Sequence, residues 1–294
     1  MNGKGRQQLH SILARQNRDG GFPYGEGGVS WTEPTALALL ALSAFPGSHD
    51  SFVAGARWLR RGQRGDGGWA PSPQVDASTW VTALALLLPA QPGEGLDRRR
   101  ALEWLSSQTP PNSRWLYRIR RRLLGDPVED IGETLGWPWY PGTAAWLLPT
   151  CLTLLALERA GRESSNDRIR ERIAAGRQFL IARQCRDGGW NHGSARALGI
   201  EADSYPETTG AALLALHGVA TGSVKRGVAA AEKHWAQCRS AEGFHWLRLG
   251  LLAHGRRPPE VPTSAKSWTT VDLALSVLAD AAENGLNVFF GSTT

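Results

Sequence analysis

Three stretches, RQNRDGGF (15–22), GQRGDGGW (62–69) and RQCRDGGW (183–190), share one pattern of glutamine, aspartate, paired glycine and an aromatic residue. Behind two of them runs a second shared element. WTEPTALALLAL (31–42) aligns without gaps on YPETTGAALLAL (205–216) and on WLLPTCLTLLAL (146–157). Weaker copies of the turn are SQTPPNSRW (107–115) and QCRSAEGF (237–244), and weaker copies of the apolar run are STWVTALALLL (78–88) and WTTVDLALSVLA (268–279). Two different elements recurring in register make an internal repeat. The glutamines stand at 16, 63, 108, 184 and 237, so the steps are 47, 45, 76 and 53, and the long step holds an insertion at about 112–142.

The segment ahead of each glutamine has amphipathic helical spacing, as with Phe52, Ala56, Trp58 and Leu59. The run behind each turn is apolar on nearly every side and rich in alanine and leucine, which predicts a buried helix. Gly-Gly supplies the left-handed backbone that ends the first helix, and Pro34 and Pro149 fall in the first turn of the second. Each unit therefore reads as an outer helix, a turn, a loop and an inner helix. An open array would leave one inner helix facing water, so the expected fold is an all-α, closed α/α toroid of about five to six outer/inner pairs. No change of composition marks a linker, and residues 1–294 read as a single domain.

Composition narrows the function classes. With 41% hydrophobic and 20% charged residues the chain of 294 is not a disordered one, and 34 glycines without a three-residue period are not collagen. The net charge is +6, and because Lys4, Lys225, Lys233 and Lys266 are the only lysines, 33 − 4 = 29 of the cations are arginine. Such a chain can meet an anionic surface, but no nucleic-acid-binding motif accompanies the charge, so no nucleic-acid partner is expected. The segment Arg114–Leu124 interleaves arginines with apolar residues as a basic amphipathic helix and is a candidate membrane-surface contact. Three cysteines at wide spacing (151, 185, 238) suggest a reducing compartment, and no apolar leader opens the chain, so a cytoplasmic location, peripheral at the membrane, is expected. His234, Cys238 and His245 offer metal-binding chemistry without a fourth ligand, and neither metal nor cofactor is expected.

The Q-x-x-D-G-G-W turn followed by W-x-x-x-T-x-x-x-L-L-A-L resembles the QW-type repeat of squalene–hopene cyclases and protein prenyltransferase β-subunits, over about residues 16–279. The resemblance implies an α/α toroid that holds an isoprenoid chain, with Gln16, Gln63, Gln184, Trp69 and Trp190 as structural ties between outer helices. It departs from those families in their chemistry. The D-x-D-D motif of triterpene cyclases is absent, as are the D-x-C zinc pair of prenyltransferases and the thioester run of complement-like toroids. The triterpene cyclases also have two toroids where this length suits one.

Acids and aromatic residues are the remaining candidates. Glu33 and Glu207 align as W/Y-x-E-x-T at the start of an inner helix, where a carboxylate complements the helix dipole. In an apolar mouth the same carboxyl stays protonated and can protonate an alkene. Asp76, ahead of its own inner helix, is a third catalytic candidate. Trp31, Trp146, Tyr205 and Trp268 share one repeat position, and Trp137, Trp139 and Tyr140 lie in the insertion; a ring of such π-faces would bind a polyene and stabilise its cations. Two functions follow: a cyclase-like or transferase-like enzyme acting on a polyprenyl substrate, or a non-catalytic isoprenoid-binding or scaffold module that has lost the D-x-D-D and zinc chemistry.

Overall fold

The computed structural model describes residues 3–45, 47–90, 95–109, 135–162, 166–193, 196–197, 200–262 and 268–291. Eleven α-helices stand among them: α1 (Gly3–Ala14), α2 (Thr32–Ser43), α3 (His49–Gly62), α4 (Val81–Leu86), α5 (Arg98–Ser107), α6 (Leu147–Gly161), α7 (Asp167–Ala182), α8 (Pro206–Ala215), α9 (Gly222–Gln237), α10 (Ala241–Ala253) and α11 (Thr270–Glu283). The β structure among the described residues is slight. It amounts to two antiparallel ladders of two residues a strand, Trp137–Pro138 with Ala145–Trp146 and Arg196–Ala197 with Ile200–Glu201, and two isolated bridges. The candidate basic helix, Arg114–Leu124, lies outside the described residues, as does most of the insertion.

Six inner helices form a closed ring in which α2, α4, α6, α8, α10 and α11 each pack on the next, and α11 packs on α2. Each outer helix backs the inner helix that precedes it: α3 behind α2, α5 behind α4, α7 behind α6, α9 behind α8, and α1 behind α11, so the first helix of the chain covers the last inner one. The fold is thus the expected α/α toroid. One inner helix goes beyond the sequence reading. QCRSAEGF was expected to be a turn, yet Ser240 caps a helix through the Gly243 N–H, and Ala241 already begins α10. Its residues Phe244, Trp246, Leu247, Leu249 and Leu251 are buried. Among the described residues no outer helix backs α10 alone; there Arg248 reaches across to Asp280 (2.6 Å) and Glu283 on α11.

Ring closure is visible in one repeated hydrogen bond. The first N–H groups of inner helices, orphaned by helix geometry, donate to the loop of the following unit. Thr32 donates to the Pro71 carbonyl (2.9 Å), Leu147 to His192 (3.1 Å), and Thr270, from the last unit, to Tyr24 of the first (2.8 Å). All inner helices therefore begin at one end of the ring.

The turn residues hold the outer layer. Gln16, Gln63 and Gln184 each donate to a carbonyl of their own turn and to the start of the next outer helix, at Ser51 (2.8 Å), Asp97 (2.9 Å) and Ser223 (2.7 Å). The first glycine of each pair, Gly20, Gly67 and Gly188, has φ near +94°, +94° and +93°, which disfavours any side chain. The turn aspartates accept the N–H of the second glycine and the hydroxyl of Ser30, Ser78 or Ser204. Trp69 and Trp190 are buried and donate their indole N–H to Leu59 and Leu180, each at 2.7 Å.

Helices α8 and α10 approach most closely, because both carry glycine at the crossing. A Cβ on Gly210 would stand 2.2 Å from the Trp246 carbonyl carbon, and one on Gly250 would stand 2.4 Å from the Gly210 oxygen. Backbone cannot yield as a flexible side chain does. Gly210→Ala is therefore expected to destabilise the protein by about 3 kcal/mol through overpacking, against a propensity gain of about 1 kcal/mol, and a denaturant titration measures it.

Candidate active site

The inner-helix starts bring four carboxylates to one mouth of the ring: Glu33 from α2, Glu207 from α8, Glu242 from α10 and Asp272 from α11. Glu33, Glu207 and Glu242 occupy the same second position of their helices, where the macrodipole favours a negative charge. A cavity of about 530 Å³ opens among Tyr24, Glu33, Arg239, Ser240, Glu242, Trp268 and Asp272.

Two pairs repeat around this mouth. The Tyr24 hydroxyl donates a short hydrogen bond to Glu33, and the His192 Nε2 lies 3.2 Å from the Glu207 carboxylate. Tyr24 and His192 stand at one repeat position, two residues beyond Phe22 and Trp190 of the turn. Burial pushes the Glu33 carboxyl from the usual 4.5 up to about 7; the Tyr24 hydrogen bond opposes the shift and the charge of Glu242 adds to it. Burial likewise raises Tyr24, with Glu33 contributing, and raises Glu242, with Asp272 and Glu207 contributing. Glu33 is thus a carboxylic acid that is substantially protonated near neutrality.

Proton binding at Glu33 is coupled to stability. A raised carboxyl pKa means that the folded state binds the proton more tightly than the unfolded chain. The stabilisation is full below about pH 4.5 and is lost as pH rises through about 7. Relative to Glu33→Gln, the wild-type protein is expected to lose roughly 3 kcal/mol over that window, and thermal melts of both proteins in matched buffers from pH 4 to 8 read the difference.

The remaining candidates are placed differently from the sequence expectation. Asp76 is not at the mouth: its carboxylate is 98% exposed and pairs with Arg64 at 2.6 Å on the outside of the ring. The aromatic residues do not form a ring of π-faces in the bore. Trp31, Trp146 and Tyr205 are the N-cap residues of α2, α6 and α8, with extended backbone, and their side chains turn onto neighbouring loops. Trp31 packs on Tyr24 (5.7 Å between rings), Tyr205 on His192 (5.3 Å), and Trp146 lies over Gly193. Trp146 and Tyr205 stay 38% and 48% exposed. Trp268, 72% exposed, lines the cavity.

Trp137 belongs to a turn and lines no mouth of the ring. Its indole N–H donates to the Leu105 carbonyl (2.8 Å) at the end of α5, and its backbone N–H donates to Thr150 Oγ1 (2.8 Å). Trp69 and Trp190 do the same with Thr82 and Thr209. Trp137 is therefore the tryptophan of the third turn, displaced from its glutamine by the insertion, and the Arg172 guanidinium stacks over it at 4.0 Å. Trp139 packs edge-on against Trp80 at 4.8 Å, and both line a small pocket with Trp104 and Trp137, while Tyr140 is exposed. The cavity was expected to be mostly apolar; its walls are about as polar as apolar, because Glu242 and Asp272 join Glu33 there.

Among the described residues no group of three or more histidine, cysteine, aspartate or glutamate side chains could hold a metal ion. His234 is engaged by Ser204 Oγ at 2.6 Å. No helix among the described residues is long and apolar enough to cross a membrane.

No family model matches the chain. It is 27% identical to a drimenyl diphosphate synthase from Streptomyces showdoensis over 180 residues, 61% of this chain and 30% of that protein, so it matches less than a third of the relative's length. Its fold is that of the type II terpene cyclase MstE from Scytonema, at 18% identity with a TM-score of 0.55, covering 96% of this chain and 80% of that one. A GH76 alpha-mannanase from Bacteroides thetaiotaomicron shares the fold too, at 11% identity and a TM-score of 0.62, with 96% of both chains covered. The chain shares its α/α toroid with a terpene cyclase and with a mannanase, so the activity must be argued from the site.

Proposed function

We propose that this chain is a terpene-cyclase-like enzyme, one toroidal domain in which Glu33 protonates an alkene of an isoprenoid substrate and starts its cyclisation. The observation that carries the reading is the Glu33 carboxyl, raised to about 7 by burial in the mouth of a closed ring and hydrogen-bonded by Tyr24. Proton transfer from a positioned acid suits a carboxyl whose pKa lies near the working pH. The departing proton leaves a carboxylate that the Tyr24 hydroxyl stabilises, while the cation on the substrate closes rings and is quenched by loss of a proton. Glu207, paired with His192, is the repeat-related acid and the candidate to accept that proton. Trp268 lines the same cavity, where a carbocation over its ring would gain from the ring quadrupole.

The relatives add support of a coarser kind. One is a drimenyl diphosphate synthase, and a variant of MstE has been solved in complex with its substrate geranylgeranyl dihydroxybenzoate. Both point to an isoprenoid as the molecule bound.

A second reading, a binding module without chemistry, is favoured by the missing D-x-D-D motif and by the polar walls of the cavity. Incubation with prenyl alcohols and prenyl diphosphates of graded length, followed by product analysis, separates the two. A cyclised isomer supports the enzyme, and tight binding with unchanged recovery of every substrate supports the module.

A further inference from the structure

The walls of the cavity at the inner-helix starts sort by hydrogen-bonding role. Asp272, on the α11 wall, accepts the backbone N–H groups of Trp268 (3.1 Å) and Thr269 (3.0 Å), both at Oδ2, so one of its two oxygens is already satisfied. Glu242, on the α10 wall, is hydrogen-bonded by the Trp246 side chain, which favours its ionised form. Glu33, the third acid, accepts the Tyr24 hydroxyl. An ionised carboxylate accepts hydrogen bonds and donates none. The α10 and α11 walls therefore call for O–H or N–H donors on a ligand, and they repel negative charge.

One cation lines the cavity with them. Arg239, beside Ser240, donates one guanidinium nitrogen to the Cys238 carbonyl at 2.9 Å. A guanidinium carries five N–H donors, so others remain for an oxygen of a ligand. The neighbouring cations are engaged elsewhere: Arg15 donates to the Trp268 carbonyl (3.2 Å) and lies 3.7 Å from Glu26, and His192 pairs with Glu207. Among the described lining residues the balance is negative, with Glu242, Asp272 and the partly protonated Glu33 against one guanidinium.

We propose that the polar end of the molecule bound in this cavity is an uncharged, hydroxyl-bearing head, an alcohol or a phenol, and that the mouth selects against a diphosphate. A hydroxyl donates to Glu242 or Asp272 and accepts from Arg239 through the same oxygen. A diphosphate satisfies Arg239 but has nothing to donate, and it meets the carboxylates charge to charge, which excludes a partner. An ammonium head donates but offers no acceptor to Arg239. Trp268 and Val271 supply an apolar part of the same wall for the adjoining prenyl carbons. This inference rests on the reading of the cavity as an isoprenoid site, and it adds the class of head group.

The test compares geraniol, geranylamine and geranyl diphosphate, which share one chain and differ only in the head. Each is titrated against the whole protein by calorimetry at neutral pH, once with magnesium and once with a chelator, so that a cation bridging phosphate to carboxylate is read directly. The alcohol is expected to bind most tightly, with the diphosphate at least about tenfold weaker in both buffers. Glu242→Gln and Asp272→Asn are each expected to narrow that gap by about threefold, and Arg239→Gln to widen it. A merely structural defect would not move the gap in opposite directions. A variant that melts without cooperativity is set aside, because the wild-type order and the remaining variants decide without it. A diphosphate or an amine that binds as tightly as the alcohol in either buffer, or a gap that none of the folded variants moves, overturns the proposal and leaves the isoprenoid reading standing. The expected order without any Glu33-dependent product overturns the enzyme reading and leaves the head group. Failure of the wild type to bind all three overturns both.

Discussion

Glu33→Gln is expected to lower the rate of cyclisation by about 10²- to 10⁴-fold, the usual contribution of a positioned general acid, while leaving substrate binding nearly unchanged. Glutamine keeps the shape of the side chain and can still accept the Tyr24 hydrogen bond, but it carries no transferable proton. The pH profile supplies a second reading of the same group. Only the protonated carboxyl is active, so the wild-type rate is expected to be level below about pH 7 and to fall about tenfold per unit above it. Glu207→Gln is expected to alter the product distribution rather than the first step, because Glu207 pairs with His192 and not with Tyr24. A Glu33→Gln protein with a near-wild-type rate would remove Glu33 as the acid.

Trp137→Ala is expected to destabilise the protein by about 3–5 kcal/mol, the range for deleting a buried aromatic side chain, and to match Trp69→Ala and Trp190→Ala. All three indoles are buried, and each satisfies a carbonyl at the end of an outer helix: Leu105, Leu59 and Leu180. Removal leaves a cavity and an orphaned acceptor together. Trp268→Ala, at a side chain 72% exposed, is expected to change stability by no more than about 0.5 kcal/mol. Midpoints of chemical denaturation compare the four variants directly. Equal stability of the Trp137 and Trp268 variants would contradict the assignment of Trp137 to the turn.

The ring was legible in the sequence because its two elements repeat with enough residues to align. Gln63 and Trp69, for example, sit where the pattern puts them. Helix α10 was hidden because AEGF resembles a decayed turn, while the residues that make it helical, Trp246 to Leu252, follow the motif instead of belonging to it. Trp137 was hidden because the insertion separates it from Gln108, and spacing alone cannot bridge a gap of unknown path. Alignment places Trp31, Trp146 and Tyr205 at one shared position, the N-cap, but carries no information on direction. An N-cap residue has extended backbone, which turns its side chain out of the helix barrel and away from the bore.

The site was legible in part for a related reason. Glu33 and Glu207 carried a repeat signal, and the structure brings both to one mouth. Their partners Tyr24 and His192 also occupy equal repeat positions, two residues past the turn aromatic, but as different residue types they gave no match to notice. Glu242 stands two residues after its cap, as Glu33 and Glu207 do, and that spacing was the available clue. Asp76 stands on the loop ahead of its inner helix instead of at a helix start, and it faces solvent.

The most direct test of the central claim is isotopic. The purified protein is incubated in D₂O with a polyprenyl substrate that it binds, and the product is examined by mass spectrometry and NMR. Initiation by a protein acid predicts a cyclised isomer carrying a single new deuterium at the carbon that received the proton, formed by the wild type and not by Glu33→Gln. Recovery of the substrate unchanged and without deuterium, from a protein shown to bind it, would contradict the account.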